Sequence, residues 1–232
     1  MCRRQSIILT GLKFFISLSF LLSLTLSSYA EQTNSPQSSN INSGKSSTSD
    51  TTILVLGDSL SAAFGINEED GWVALLEKQL NKDQHPATLI NASISGETTG
   101  GGLARLPKLL SRYQPNIVIL ELGANDGLRG YPIGNMKKNL QAIITLSKEN
   151  GAEVLLLGMQ IPPNYGSRYT EAFRKSYFTI AEQKNISLVP FFLEGVATNM
   201  GLMQKDGIHP TAQAQPLLLA NVKPYLSPLF QP

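Results

Sequence analysis

Three residues could together carry reactive chemistry in this chain: Ser59, His209 and Asp206, the last lying three positions before the histidine. A serine hydroxyl is a weak nucleophile until a base takes its proton, and near neutral pH histidine is the usual base. Only two histidines exist, His85 and His209. His85 precedes a proline in a connector rich in Lys, Asp and Gln, and reads as a solvated loop residue. His209 lies in Asp206-Gly207-Ile208-His209-Pro210. That spacing lets a carboxylate reach one ring nitrogen and leave the other facing a nucleophile. Acyl transfer also needs donors preorganised for a developing oxyanion. Gly96 can bring its backbone N–H close to a ligand, and Asn125, in Gly123-Ala124-Asn125-Asp126-Gly127, can turn its amide inward. Taken singly, each has a plainer reading. Ser59 could cap a helix, Asp206 could cap one ahead of Pro210, and Gly96 and Asn125 could simply form turns. Their joint occurrence points to nucleophilic chemistry.

These residues need a scaffold that presents them together. Apolar runs at 53–56, 88–90, 117–122, 154–157 and 188–189 read as strands. The first, Leu54-Val55-Leu56, ends in Gly57-Asp58-Ser59-Leu60, with a possible helix start after it. Stretches of helical spacing lie between the strands. They are marked by Trp72, Leu75, Leu76 and Leu80; by Leu103, Leu106, Leu109 and Leu110; by Leu140, Ile143, Ile144 and Ser147; and by Phe173, Tyr177 and Ile180. Such alternation predicts an α/β fold, a parallel sheet of about five strands with helices on both faces. A last helix is expected after Pro210, kinked or shortened by Pro216 and Pro224. The polar and glycine-rich stretches then follow strand ends and share one edge of the sheet, where ligands bind in such folds.

The first 30 residues read as a secretory signal. Arg3, Arg4 and Lys13 precede an apolar stretch at 14–26, and Ser28-Tyr29-Ala30 suits cleavage after Ala30. That stretch contains three serines and a threonine and is short for a membrane span. An uncleaved anchor is the alternative. With cleavage, the mature chain is expected to be periplasmic or secreted and to carry no stable span. Residues 31–50, nearly all Ser, Thr, Asn and Gln with Ile41 as the one aliphatic, are expected to be a disordered tether. The domain is expected over 51–232. Its single cysteine, Cys2, lies in the leader, so the domain has neither disulfide nor thiol chemistry. Two histidines rule out a histidine-rich metal site. Three of the 19 basic residues also belong to the leader, and the rest of the chain is close to neutral, with no basic stripe for nucleic acid. Nothing in the pattern calls for an obligate interface, so a monomer is expected.

The four polar blocks, in order, resemble those of the SGNH (GDSL) hydrolase family. The likeness runs from about Ile53 to Leu229. Leu54-Val55-Leu56-Gly57-Asp58-Ser59-Leu60-Ser61-Ala62, Asn91-Ala92-Ser93-Ile94-Ser95-Gly96, Gly102-Leu103-Ala104-Arg105-Leu106-Pro107, Asn125-Asp126-Gly127-Leu128-Arg129-Gly130 and Asp206-Gly207-Ile208-His209-Pro210 are similar to its bacterial periplasmic thioesterase I/lysophospholipase/arylesterase branch. The resemblance implies a flavodoxin-like three-layer α/β/α sandwich and no metal or organic cofactor. It implies Ser59 as nucleophile, His209 as general base and Asp206 as its orienting partner. It implies an oxyanion hole from the N–H groups of Ser59 and Gly96 and the Asn125 side chain. The segment Gly127, Leu128, Arg129, Gly130 and Tyr131 corresponds to a mobile, substrate-binding loop, and Asp58 to a turn-shaping neighbour of the nucleophile. The expected substrates are small-molecule acyl esters or thioesters. A carbohydrate O-acetyl esterase and a non-catalytic acyl-ligand binding protein are the alternatives. Ala124 stands where many members have glycine, and 64–70 and 100–102 depart from the branch pattern, which bears on acyl-chain preference.

Overall fold

The computed structural model describes residues 51–83 and 87–230. The leader, the tether and His85 lie outside the described residues. Five strands, β1 (Thr51–Gly57), β2 (Ala87–Asn91), β3 (Ile117–Glu121), β4 (Glu153–Leu157) and β5 (Ser187–Val189), form one sheet in the order β2-β1-β3-β4-β5. Every pairing is parallel. Central parallel strands are covered on both faces, which is why their sequences read as continuous apolar runs. Ile53–Leu56, Ile117–Leu120 and Val154–Leu157 are accordingly all buried, and the two edge strands are less so.

The helices are α1 (Trp72–Lys82), α2 (Thr99–Tyr113), a short α3 (Ala124–Leu128), α4 (Ile133–Glu149), α5 (Ser167–Lys184) and α6 (Gln215–Leu226). The chain leaves β1 in one direction to reach β2, then crosses back to β3, β4 and β5. Right-handed crossovers therefore put α1 on one face and α2, α4 and α5 on the other. The packing agrees: α1 lies against α6, α2 against α4, and α4 against α5. The strand order reverses between β1 and β3, and a crevice opens there at the carboxyl ends of the strands.

Two expectations are corrected. The last helix does not start after Pro210. That proline pairs with Met203 in an isolated antiparallel bridge, and a single 3-10 turn at Ala212–Ala214 precedes α6. Pro216 occupies the first turn of α6, where its missing N–H costs nothing. The stretch after Ser59 is not a regular helix either. It winds through turns held by Ala62 N–H to Asp58 O at 3.0 Å and Phe64 N–H to Ser59 O at 3.1 Å, with Ala63 at a left-handed φ of 56°. Among the described residues no helix is long and apolar enough to cross a membrane.

Candidate active site

β1 delivers Ser59 through a tight exit. A side chain on Gly57 would stand 2.8 Å from both the Ser61 Cβ and the Ser93 Oγ, so the chains after β1 and β2 approach as closely as they do only because position 57 is glycine. After β3 the chain turns at Gly123, whose φ of +115° is closed to ordinary side chains, and enters α3. Asn125 thus sits in the first turn of a short helix. That helix is tied to the start of α2, since Thr99 donates to the Asp126 carboxylate from its N–H at 2.9 Å and from its hydroxyl at 2.6 Å.

His209 arrives on a closed turn. Gln204 N–H donates to His209 O at 2.7 Å, and Gln204 Nε2 donates to both Phe64 O at 2.8 Å and Pro210 O at 2.9 Å. Asp206 serves two purposes. Its Oδ1 accepts the N–H groups of Ile208 (2.9 Å) and His209 (3.0 Å), while its Oδ2 lies 2.7 Å from His209 Nδ1. No helix starts here for Asp206 to cap; its two backbone hydrogen bonds hold the turn instead, while its second oxygen faces the ring. The Nδ1 contact and the two backbone donors hold the Asp206 carboxyl down at about 2. A carboxylate beside Nδ1 selects the tautomer with the proton on that nitrogen and leaves Nε2 as an acceptor. Nε2 stands 2.9 Å from Ser59 Oγ. The Phe64 ring covers the imidazole at a centroid distance of 4.4 Å and a tilt of 37°.

The expected oxyanion donors surround this serine unevenly. Among the described residues, neither the Ser59 nor the Gly96 N–H has a hydrogen-bond acceptor. Gly96 sits at φ +79° with its carbonyl accepting from Arg129 Nη2 at 3.0 Å. Asn125 Nδ2 donates to Asp58 Oδ2 at 3.0 Å, so one of its two hydrogens is committed to that carboxylate. Asp58 shapes the turn as expected, accepting Leu60 N–H on Oδ1 at 3.1 Å, but it is also buried and binds Asn125.

A cavity of about 460 Å³ opens beside Ser59, His209 and Asn125. Its walls include Leu128, Met159, Ile161, Phe191, Leu193 and Met203. Of the segment 127–131, only Leu128 lines it. Gly127 is buried against Phe173 and Ile161, Arg129 reaches back to Gly96, Gly130 turns the chain at φ +65°, and Tyr131 is exposed. Two tyrosines pin the segment, Tyr165 donating to Leu128 O at 2.8 Å and Tyr169 to Tyr131 O at 2.9 Å. No group of three or more His, Cys, Asp or Glu side chains suited to a metal occurs among the described residues.

Sequence reasoning passed over Glu121. It closes β3 opposite Gly57 in the sheet register and is fully buried. Its Oε2 accepts from Asp58 N–H at 3.1 Å and Ser61 Oγ at 2.9 Å, and Ser61 Oγ in turn accepts from Trp72 Nε1 at 3.2 Å. The signal was available as a charged residue between Leu120 and Leu122, inside a strand buried on both faces. Burial pushes Asp58 from its ordinary 3.8 up to about 6 and drives Glu121 well above the usual carboxylate range, with the neighbouring Asp58 charge adding to the latter. In the window between 3.8 and about 6 the folded chain holds a proton on Asp58 that the unfolded chain has lost, so stability falls as pH rises through it. Asp206 works in the opposite sense, but only between 3.8 and about 2. The thermal midpoint is therefore expected to be several degrees higher at about pH 5 than at about pH 7, as calorimetry would read it. A flat or reversed dependence would contradict the burial of this pair as ionisable groups.

The sequence matches the GDSL-like lipase/acylhydrolase family over residues 55–216. Esterase TesA of Pseudomonas aeruginosa is 54% identical over 179 residues, 77% of this chain and 89% of that protein. The thioesterase 1/protease 1/lysophospholipase L1 of Escherichia coli strain K12 is 44% identical over 178 residues, 77% of this chain and 84% of that protein. A crystal structure of the psychrotrophic esterase EstA from a Pseudoalteromonas species, inhibited by monoethylphosphonate, superposes with a TM-score of 0.75 at 46% identity, covering 79% of this chain and all of that one. With the match spanning most of the domain and the parallel fold in common, this chain belongs to the GDSL-like lipase/acylhydrolase family and is a hydrolase of ester bonds.

Proposed function

We propose that the chain hydrolyses carboxylic esters and acyl thioesters through an acyl-Ser59 intermediate, as a periplasmic or secreted enzyme. The observation that carries this reading is the continuous contact from Asp206 to His209 to Ser59, opening on an apolar cavity. Ser59 Oγ attacks the acyl carbonyl as His209 Nε2 takes its proton, and the Asp206 carboxylate stabilises the imidazolium that forms. The oxyanion is held by the N–H groups of Ser59 and Gly96 and by the second Asn125 hydrogen. His209 then protonates the leaving alcohol or thiol. Water, deprotonated by the same imidazole, repeats the sequence and releases the acid.

The apolar wall favours an acyl chain over a sugar, because few polar groups stand there to replace the water a polyol would lose. Leu128 contacts that chain, while Gly127, Arg129, Gly130 and Tyr131 hold the loop that carries it. A fluorophosphonate probe is expected to label the protein stoichiometrically, and Ser59→Ala to abolish labelling. Labelling that survives Ser59→Ala would remove Ser59 from the role. Initial rates across a chain-length series of oxygen esters, acyl thioesters and lysophospholipids would then rank the substrates, with acetylated glycans as the contrary outcome.

A further inference from the structure

Two buried carboxyl groups, Asp58 and Glu121, stand behind the candidate catalytic residues and take no part in the steps above. Glu121 Oε2 accepts the Asp58 N–H at 3.1 Å, which sets the two acidic residues side by side. Both ionised, they would be like charges side by side in the core, an arrangement that favours retaining a proton.

The hydrogen bonds say where that proton belongs. Asp58 is the better paired anion, accepting Leu60 N–H and Asn125 Nδ2. Glu121 is fully enclosed, and its Oε1 has no donor among the described residues. A bare carboxylate oxygen there would be an unpaired buried charge. As a neutral acid, Glu121 still accepts Asp58 N–H and Ser61 Oγ on Oε2, and Oε1 carries no charge that lacks a partner. The site of the proton has a consequence for Asn125. An amide turned by 180° exchanges its donor and acceptor ends, and only the partner decides between them. An ionised Asp58 can accept but not donate, so it admits only Nδ2. A protonated Asp58 could donate to Oδ1 and let the amide turn its acceptor toward the oxyanion, where it would repel.

We propose that Glu121 is a positioning residue, a permanently neutral buried acid that keeps Asp58 ionised and thereby fixes the donor end of Asn125 toward the oxyanion. This rests on the donor role given to Asn125 above. The titratable groups facing the pair are His209 from the closing turn, Tyr177 from α5 and, through Tyr177, Asp126 of α3.

The test has a spectroscopic arm that does not depend on catalysis. Infrared spectra of the wild-type protein at neutral pH, with and without ¹³C-carboxyl glutamate, should show one isotope-sensitive band of a protonated carboxylic acid. The band should vanish in Glu121→Gln and shift in Ser61→Ala, which removes one donor to Oε2. Absence of an isotope-sensitive band in the wild type overturns the proposal even if Glu121→Gln does not fold. In the kinetic arm, Glu121→Gln, a neutral isostere that can still accept Asp58 N–H and Ser61 Oγ, should keep kcat within about threefold, whereas Glu121→Leu should lower kcat by at least about tenfold with KM little changed. Equal losses in the two variants would mean that the working group is an ionised glutamate. Fluorophosphonate labelling that is lost in Ser59→Ala but unaltered in rate in Glu121→Leu would separate a failure of this proposal from a failure of the Ser59 assignment.

Discussion

Ser59→Ala and His209→Ala are each expected to lower turnover by roughly a millionfold, and the double variant by no more than either single one. The reason is the geometry of the relay. Ser59 Oγ and His209 Nε2 are 2.9 Å apart, and in the proposed mechanism that ring is the base for the hydroxyl. Once either is gone, the other has no remaining task in the chemical step, and the second deletion removes nothing further. Asp206→Asn should cost less, on the order of 10⁴-fold, because the imidazole remains in place but an amide NH₂ facing Nδ1 selects the wrong tautomer. The measurement is kcat on an activated aryl ester, with labelling used to count intact sites. A double variant far below both single ones would show that the two residues do not act as a unit. Because the Asp206 carboxyl is held at about 2, acid inactivation well above that pH must originate elsewhere than in Asp206.

The elements that carry these residues were readable because their burial is uniform. β1, β3 and β4 are covered on both faces, so their sequences are plain apolar runs whose positions could be placed within a residue or two. α1, α4 and α5 announced themselves by one buried stripe, at Trp72, Leu76 and Leu80, at Leu140, Ile143, Ile144 and Ser147, and at Phe173, Tyr177 and Ile180. On α2 the stripe was half misread. Leu106 and Leu110 are buried, but the others on that face are Thr99 and Gly102 and not Leu103 or Leu109. Residues too small or too polar to look like core are there because α2 starts against Asp126 and packs closely on Leu122.

The site divides in the same way. Asp206 and His209 are three residues apart, so their contact is a local matter of turn geometry that spacing could convey. Ser59 and Asn125 were recognisable from their place after strands. The link between Asn125 and Asp58 spans 67 positions, and that between Ser61 and Glu121 spans 60. Both depend on which strand neighbours which and on the register that sets Gly57 against Glu121. No pattern along the chain encodes such a register. The Phe64 ring over His209 was hidden for a related reason, since an exposed phenylalanine in a turn gives no hint of the partner that the fold brings to it.

Asn125→Ala is expected to lower kcat by about 10²–10³-fold, equivalent to about 2.7–4 kcal/mol of transition-state stabilisation, with KM little changed. The loss should fall on kcat because the oxyanion exists only in the transition state and the tetrahedral intermediate. Two backbone donors remain, so activity should stay well above that of Ser59→Ala. The same substitution has a second effect on the folded state. It removes a donor from Asp58, a carboxylate already raised to about 6 by burial, and leaves it with fewer partners for its charge. Stability should therefore drop by about 1–3 kcal/mol at neutral pH, and the drop should shrink on acidification as Asp58 takes up its proton. Asn125→Asp offers a sharper contrast. It is nearly isosteric, but it sets a second carboxyl against Asp58 and offers no N–H to the oxyanion, so it should lose at least as much turnover as alanine. Its stability deficit should be larger at neutral pH and more strongly relieved by acid. Near-normal kcat in Asn125→Ala would leave the amide as a strut for Asp58 and nothing more. A pH-independent stability loss in both variants would mean that Asp58 does not carry the charge that the Asn125 contact requires.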